Sequence, residues 1–141
     1  MPDQPFATGR CLCGAVTFTI KSAPLSAGQC HCKDCQRATG TGHVSHAIFK
    51  ADDVEFHGET AGYTVTTDAG NEYTRYFCPK CGGRLYNQTS KAPDFVHVAA
   101  GACDDNSWFE PKWVFYTRSR PAWDLTSTDI PNHEAMPPPR T

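Results

Sequence analysis

The sequence predicts a single, mainly β domain. Apolar and polar residues alternate over short stretches, as where Val16, Phe18 and Ile20 fall on one face of a strand. The 11 Gly and 11 Pro residues indicate frequent turns, and the helical pattern is weak. The length of 141 residues is that of one domain.

Eight stretches have the strand pattern. They are 15–20, 44–49, 54–56, 62–67, 73–77, 83–87, 95–99 and 113–116. Between the fourth and the fifth, residues 68–71 are typical of a hairpin loop in which Gly70 supplies the positive φ. Short helical turns are predicted at 33–38 and at 126–129, the second stopped by Pro131.

Eight cysteines are more than a core of this size needs. The first ten residues hold no apolar run of the kind found in a secretory signal, so we expect a cytoplasmic protein with reduced thiols. Metal binding is then favoured over disulfides. No stretch approaches the roughly 20 apolar residues of a membrane span, so no membrane partner is expected.

Seven of the cysteines form three clusters. The clusters are Cys11-Leu12-Cys13, Cys30-His31-Cys32-Lys33-Asp34-Cys35 and Cys78-Pro79-Lys80-Cys81. A C-x-x-C loop curls back and presents two thiolates to one metal ion. Structural zinc takes four thiolates, whereas reactive zinc keeps three protein ligands and an open position. Seven cysteines therefore divide naturally into four and three, which predicts two zinc ions per chain.

The spacing leaves the allocation open. Cys30, Cys32 and Cys35 can supply the three-thiolate set from one segment, and the remaining four then form the other set. A zinc ribbon in which Cys32 and Cys35 join Cys78 and Cys81 is also allowed by spacing alone.

The charge argues against a nucleic-acid partner. The formal net charge is −2 and the pI is about 6.3, so there is no basic excess. Seven thiolates and two zinc ions would bring the charge to about −5, which repels a phosphate backbone.

These clusters resemble a known family. The matching segments are GRCLCGAV at 9–16, CHCKDCQR at 30–37 with Gly40 close behind, RYFCPKCG at 75–82 and GACDD at 101–105. In this order they resemble the glutathione-dependent formaldehyde-activating enzyme family, which shares its domain with centromere protein V. The chain differs from the family pattern at Cys103, where an aliphatic residue is usual, and at Trp113, where a histidine is common.

The resemblance implies a fold, a division of the chain and an allocation of ligands. The fold is Mss4-like, with antiparallel sheets and zinc-binding loops. The division is an N-terminal extension at 1–8, the zinc domain at 9–125 and a proline-rich, irregular tail at 126–141. The structural zinc ligands are Cys11, Cys13, Cys78 and Cys81, and the open, catalytic zinc site is held by Cys30, Cys32 and Cys35.

The resemblance also implies a carbon–sulfur lyase activity. A zinc-bound thiol, that of glutathione, adds to a small aldehyde to give S-hydroxymethylglutathione or a similar adduct. The expected partners are a small thiol and a small aldehyde, and a homodimer is left open. Two alternatives stay open: a divergent lyase acting on another thiol or aldehyde, and a non-enzymatic Mss4-like zinc module that binds a partner.

Other polar residues near the clusters have competing interpretations. His31 is expected to point away from the metal, and His43 and His46 either relay a proton or are hydrogen-bonded structural residues. Lys33 and Arg37 either hold a glutathione carboxylate or are solvated surface charges. Asp104 and Asp105 fit turn capping better than a paired-carboxylate site, and Cys103 is expected to be a small buried hydrophobe.

Overall fold

The computed structural model describes residues 4–136. These residues form ten strands, one α-helix and three 3-10 turns. The strands are β1 (Ala7–Arg10), β2 (Thr17–Ile20), β3 (Ser26–Cys30), β4 (Val44–Lys50), β5 (Val54–His57), β6 (Ala61–Thr66), β7 (Glu72–Phe77), β8 (Arg84–Thr89), β9 (Phe95–Ala99) and β10 (Trp113–Phe115). The helix α1 is Lys33–Thr39, and the 3-10 turns are Ala51–Asp53, Ala100–Ala102 and Thr117–Ser119.

The strands form two sheets. The small sheet has the order β1-β2-β5, and the large sheet has the order β10-β3-β4-β9-β8-β7-β6. All pairings are antiparallel except that of β10 with β3. The predicted mainly β class with antiparallel sheets is confirmed. No helix within residues 4–136 is long and apolar enough to cross a membrane.

The two sheets pack against each other through apolar and aromatic side chains. Phe18 and Ile20 of the small sheet are fully buried in one cluster with Phe49 and Val98 of the large sheet. Each such side chain stabilises the fold by about 1.5–3 kcal/mol on burial. An aromatic stack runs across the interface, from Phe56 to Tyr86 at 4.1 Å and from Tyr86 to Tyr76 at 4.5 Å. The stack fixes β5 over β7 and β8.

All eight predicted strand stretches correspond to strands, with ends that differ by at most two residues. The hairpin loop is also present: Gly70 has φ 86° and Thr67 N–H donates to Asn71 C=O at 2.7 Å. The turn predicted at 33–38 is part of α1. β1 begins at Ala7 and so crosses the boundary predicted after residue 8.

Two strands were missed. β1 and β3 contain Gly9 and Gly28 and few residues of high strand propensity. Both glycines are required by close packing, because a Cβ on Gly9 would overlap the Phe18 ring and one on Gly28 would overlap Trp113. Tertiary packing, rather than local pattern, selects these strands.

The helical turn predicted at 126–129 is wrong. The segment bends instead, and Asn132 donates to the carbonyls of Ser127 and Ile130 at 2.9 and 2.7 Å. The chain then runs beside β10, where Val114 N–H donates to Pro131 C=O and His133 N–H donates to Val114 C=O. The tail predicted to be irregular lies partly outside the described residues, from 137 onward.

Gly9 gives a direct test of how the sheets fit. Gly9→Ala places a methyl group against the Phe18 ring and the Ala102 carbonyl oxygen, so we expect the free energy of unfolding to fall by about 1–3 kcal/mol. Gly101→Ala is the matched control, since a Cβ there has no neighbour within 4 Å. Thermal melting at equal metal content compares them, and equal melting temperatures would contradict this packing.

Candidate metal centres and the adjoining cavity

Four of the clustered cysteines form one group of sulfur atoms. Cys11 and Cys13 follow β1, and Cys78 and Cys81 follow β7, yet the four ligand atoms lie within 4.8 Å of one another. The Cys11–Cys13 and Cys13–Cys78 sulfur distances are 3.7 and 3.8 Å. A tetrahedron of sulfurs about 2.3 Å from a central zinc has edges of about 3.8 Å. The donor atoms and their spacing therefore fit a four-coordinate zinc ion.

Backbone amides surround this four-sulfur group. Three N–H groups lie 3.3–3.4 Å from sulfur: Val16 to Cys11, Lys80 to Cys78 and Gly83 to Cys81. Gly82, with φ 77°, makes the turn that aims the last of these. Backbone amides of Cys13 and Gly83 lower the pKa of Cys81 to about 6. These amides therefore favour the thiolate of Cys81, the form that binds metal.

Cys30, Cys32 and Cys35 form a second group of sulfur atoms, also within 4.8 Å of one another. Cys30 ends β3, Cys32 caps α1 and Cys35 lies in its first turn, so one short segment supplies all three. The Cys32 and Cys35 sulfurs are 2.9 Å apart. This is about 1 Å less than a tetrahedral edge around zinc, so the sulfurs must move apart to hold one.

The second group also favours a thiolate without any metal. Hydrogen bonding with the Cys30 and Cys35 side chains lowers the pKa of Cys32, and the Cys35 N–H donates a further hydrogen bond to the Cys32 sulfur at 3.2 Å. Hydrogen bonding of Cys30 with the Cys32 and Cys35 side chains raises the pKa of Cys30. With three sulfur donors, the group can hold a zinc ion and leave its fourth position for another ligand.

The structure thus brings together the two sets implied by the family resemblance. Cys32 and Cys35 lie in a different group from Cys78 and Cys81. A zinc ribbon would need these four sulfurs in one group. That these sulfurs are zinc ligands, and that the second set is catalytic, remain predictions.

A cavity of about 270 Å³ lies beside the second group. Its lining includes Cys35, His46, Arg75, Arg84, Asn87 and His97. Arg75 is buried and its Nη2 lies 3.8 Å from the Cys35 sulfur. Burial, with neighbouring charges, lowers the pKa of His46 to about 3, and burial lowers that of His97 to about 4. Both imidazoles are therefore neutral at neutral pH.

A larger depression of about 440 Å³ lies beside Cys11 and Cys103 and shares Arg84 with the smaller cavity. It adjoins the four-sulfur group, which already supplies all the ligands of a tetrahedral ion. Of these two cavities, the smaller one is lined by a thiol of the three-sulfur group, that of Cys35. The smaller cavity is therefore the candidate substrate site.

His31, His43 and Asp124 form a third cluster of potential donors. Both histidines point to one Asp124 carboxylate oxygen, His43 Nδ1 at 2.6 Å and His31 Nδ1 at 3.2 Å. His31 Nδ1 also lies 2.9 Å from the Gly42 carbonyl. His31 therefore points away from the cysteine sulfurs, as the sequence predicted. The contacts hold the segment around Asp124 against the start of β4.

The remaining polar candidates lie outside the cavity. Lys33 and Arg37 are exposed on α1. Asp104 accepts from Thr8 Oγ1 at 2.7 Å, and Asp105 accepts from the Ser107 N–H at 2.9 Å, as turn-capping side chains do. Cys103 is buried, as predicted.

Sequence reasoning missed the two arginines of the cavity. Arg75 stands three residues before Cys78, and Arg84 stands three after Cys81. The signal was available for Arg75, because it alternates with Tyr76 along β7 and so faces the side of the sheet opposite to the aromatic stack. Arg84 follows a loop and carries no such pattern.

Comparisons with known proteins agree with the resemblance. The family model described as glutathione-dependent formaldehyde-activating enzyme matches residues 6–119. A Halomonas elongata protein, provisionally named as such an enzyme, is 31% identical over 121 residues, which cover 82% of this chain and 77% of the relative. The crystal structure of a Rhodobacter sphaeroides protein matches with a TM-score of 0.55 at 22% identity, over 69% of this chain and 87% of that one. This last match shows the fold alone.

One cysteine from each group tests whether the groups are separate metal sites. Cys81→Ser removes a ligand from the group that joins the two sheets, so we expect lower metal content and a lower melting temperature. Cys32→Ser changes the group made by one segment, so the variant should stay folded with about one zinc ion fewer. Metal analysis and thermal melting give both values. If Cys32→Ser unfolds the chain as severely as Cys81→Ser, the separation is wrong.

Proposed function

The chain belongs to the glutathione-dependent formaldehyde-activating enzyme family, and from that premise we propose that it is a zinc-dependent carbon–sulfur lyase. The reaction joins the thiol of glutathione to formaldehyde, or to another small aldehyde, and gives S-hydroxymethylglutathione or a similar adduct. The proposed sites are a structural zinc at Cys11, Cys13, Cys78 and Cys81 and a catalytic zinc at Cys30, Cys32 and Cys35.

One observation carries the proposal: the group with three sulfurs, which lacks a fourth sulfur ligand, adjoins a cavity lined by polar side chains, whereas the group beside the larger depression already has four. A three-ligand site is the arrangement of catalytic zinc, whereas a closed four-ligand site is structural. A module that used both metals only for folding would need neither an incomplete ligand set nor a cavity beside it.

Zinc held by Cys30, Cys32 and Cys35 would supply a position at which a substrate thiol loses its proton. The chain itself shields that position, because Cys30 and Cys35 are buried. The Arg75 guanidinium lies against the Cys35 sulfur and offsets the negative charge of three thiolates. The negative charge of the three thiolates would otherwise oppose the approach of the substrate thiolate.

The bond changes of the reaction balance without a redox partner. The glutathione sulfur forms the new bond to the aldehyde carbon, the carbonyl double bond becomes single, and the aldehyde oxygen takes up one proton from solvent, which balances the proton that the thiol releases on binding. His46 lines the cavity, and its buried Nδ1 has no hydrogen-bond partner among the described residues. The chemistry needs reduced cysteines, which the cytoplasm provides.

The departures of this chain from the family pattern lie outside the cavity. Trp113 stacks on Phe115 at 4.1 Å and donates to Ser26 Oγ at 2.8 Å. Cys103 is buried in the main core. Neither lines the smaller cavity, so a divergent lyase acting on another thiol has no support from these two positions.

Thiol binding tests the proposed reaction. Glutathione should bind to the zinc-loaded protein with release of about one proton, because a thiol with an ordinary pKa of about 8.5 arrives protonated and is held as thiolate. Adding formaldehyde should then yield S-hydroxymethylglutathione, detected by NMR. S-methylglutathione keeps the peptide and both carboxylates but lacks the thiol, so it should bind much more weakly and release no proton.

The controls are calorimetry in buffers of different ionisation enthalpy, which counts protons, and the Cys32→Ser variant, which should lose proton release. Equal affinity for glutathione and S-methylglutathione would contradict the proposed function. That result would leave the fold and the metal sites standing, and would favour the binding module.

A further inference from the structure

The cavity beside Cys35 carries two guanidinium groups and no carboxylate among the described residues that line it. Arg75, on β7, is 8% exposed, and Arg84, which begins β8, is exposed at the cavity edge. Arg75 of β7 pairs with Asn87 of β8, and Asn87 pairs with His97 of β9. The three side chains therefore lie in one row across the sheet. The row gives the cavity a polar wall with a cation at its inner end.

Neither arginine has an acidic partner within residues 4–136. Arg75 lies over the Tyr73 ring at 4.8 Å and Arg84 over the Phe77 ring at 5.5 Å, and these contacts satisfy little of their hydrogen-bonding capacity. Burial, and then the charge of Arg75, lower the pKa of Arg84. Two cations are thus held near each other without a compensating carboxylate.

The charges leave room for an anion. Three thiolates around one Zn²⁺ carry a net charge of −1, which offsets one of the two arginines. In the free protein this leaves one positive charge without a compensating anion among the described residues. The buried His46 Nδ1, which also has no hydrogen-bond partner, lies at the same cavity. A buried cation such as Arg75 normally has a counter-ion, which the thiolates supply, and Arg84 at the exposed edge is left with no acidic partner within residues 4–136.

We propose that Arg75 and Arg84 form a carboxylate-binding subsite, which anchors a carboxylate-bearing thiol while its sulfur reaches the group of Cys30, Cys32 and Cys35. The inference rests on the proposed function and restricts its substrate class. Guanidinium groups bind carboxylates through paired, charge-assisted hydrogen bonds. Glutathione has two carboxylates and qualifies, whereas a simple thiol such as 2-mercaptoethanol does not. Lys33 and Arg37, the cations that the sequence suggested for this task, lie outside the cavity.

Arg84 is the residue to change. Arg75 contacts the Cys35 sulfur, so its replacement would disturb the metal group as well. Arg84→Gln removes the charge at the exposed edge of the cavity. Arg37→Gln is the matched control, because it removes the same charge from an exposed arginine on α1 that does not line the cavity.

Calorimetry on the zinc-loaded full chain compares three thiols: glutathione, its diethyl ester and 2-mercaptoethanol. The Kd of glutathione should rise about tenfold or more in Arg84→Gln and stay unchanged in Arg37→Gln. The ester and 2-mercaptoethanol lack carboxylates, so their Kd should be the same in all three proteins. Arg84→Lys, which keeps the charge without the planar fork, should recover part of the affinity.

The subsite is overturned if Arg84→Gln binds glutathione as the wild type does, if the ester loses as much affinity as glutathione, or if Arg37→Gln gives the larger loss. Failure of the proposed function looks different: the wild type binds glutathione in an Arg84-dependent way but forms no adduct with formaldehyde. That outcome keeps the subsite and removes the lyase reaction.

Discussion

The four-sulfur group is the constraint on which the rest of the structure depends, because it joins two sheets that share no strand pairing. Cys11 and Cys13 follow β1 of the small sheet, and Cys78 and Cys81 follow β7 of the large sheet. Their sulfurs come together only when the two sheets are packed in this relative position. A metal ion held there would contribute folding free energy that a modest apolar core does not supply, on the order of 10–16 kcal/mol in zinc-finger peptides. The aromatic stack of Phe56, Tyr86 and Tyr76 also fixes the position of the small sheet on the large sheet, through apolar contacts.

The three-sulfur group depends on that scaffold without forming part of it. Its cysteines come from the end of β3 and the first turn of α1. Strand β7 connects the two groups, since it carries Arg75 to the Cys35 sulfur and ends at Phe77, immediately before Cys78. Strand β7, which leads into Cys78 of the four-sulfur group, thus also sets the positions of the cavity, its arginines and the three-sulfur group. The structure separates a group of four sulfurs from a group of three that adjoins the smaller cavity.

The sequence predicted the parts of this arrangement that local patterns encode. Alternation located eight strands, Gly70 located a hairpin, and the cysteine spacing limited the ligand sets to two allocations. β1 and β3 were missed because their glycines are selected by contacts between elements: Gly9 packs against Phe18 and the Ala102 carbonyl oxygen, and Gly28 packs against Trp113. The helix expected at 126–129 failed for a related reason, since pairing of Val114 with the 131–133 segment outweighs a local cap. Arg84 and the Asp124 contacts with His31 and His43 need the fold before they can be recognised.

The central claim is that one metal site is closed by four sulfurs and the other is left with three. X-ray absorption at the zinc edge measures this directly on the zinc-loaded protein, as the average number of sulfur ligands per zinc ion. The account predicts about 3.5 sulfurs per zinc in the free protein, rising to about 4 when glutathione is added. An average of four sulfurs before glutathione is added, or a value that glutathione leaves unchanged, would contradict it.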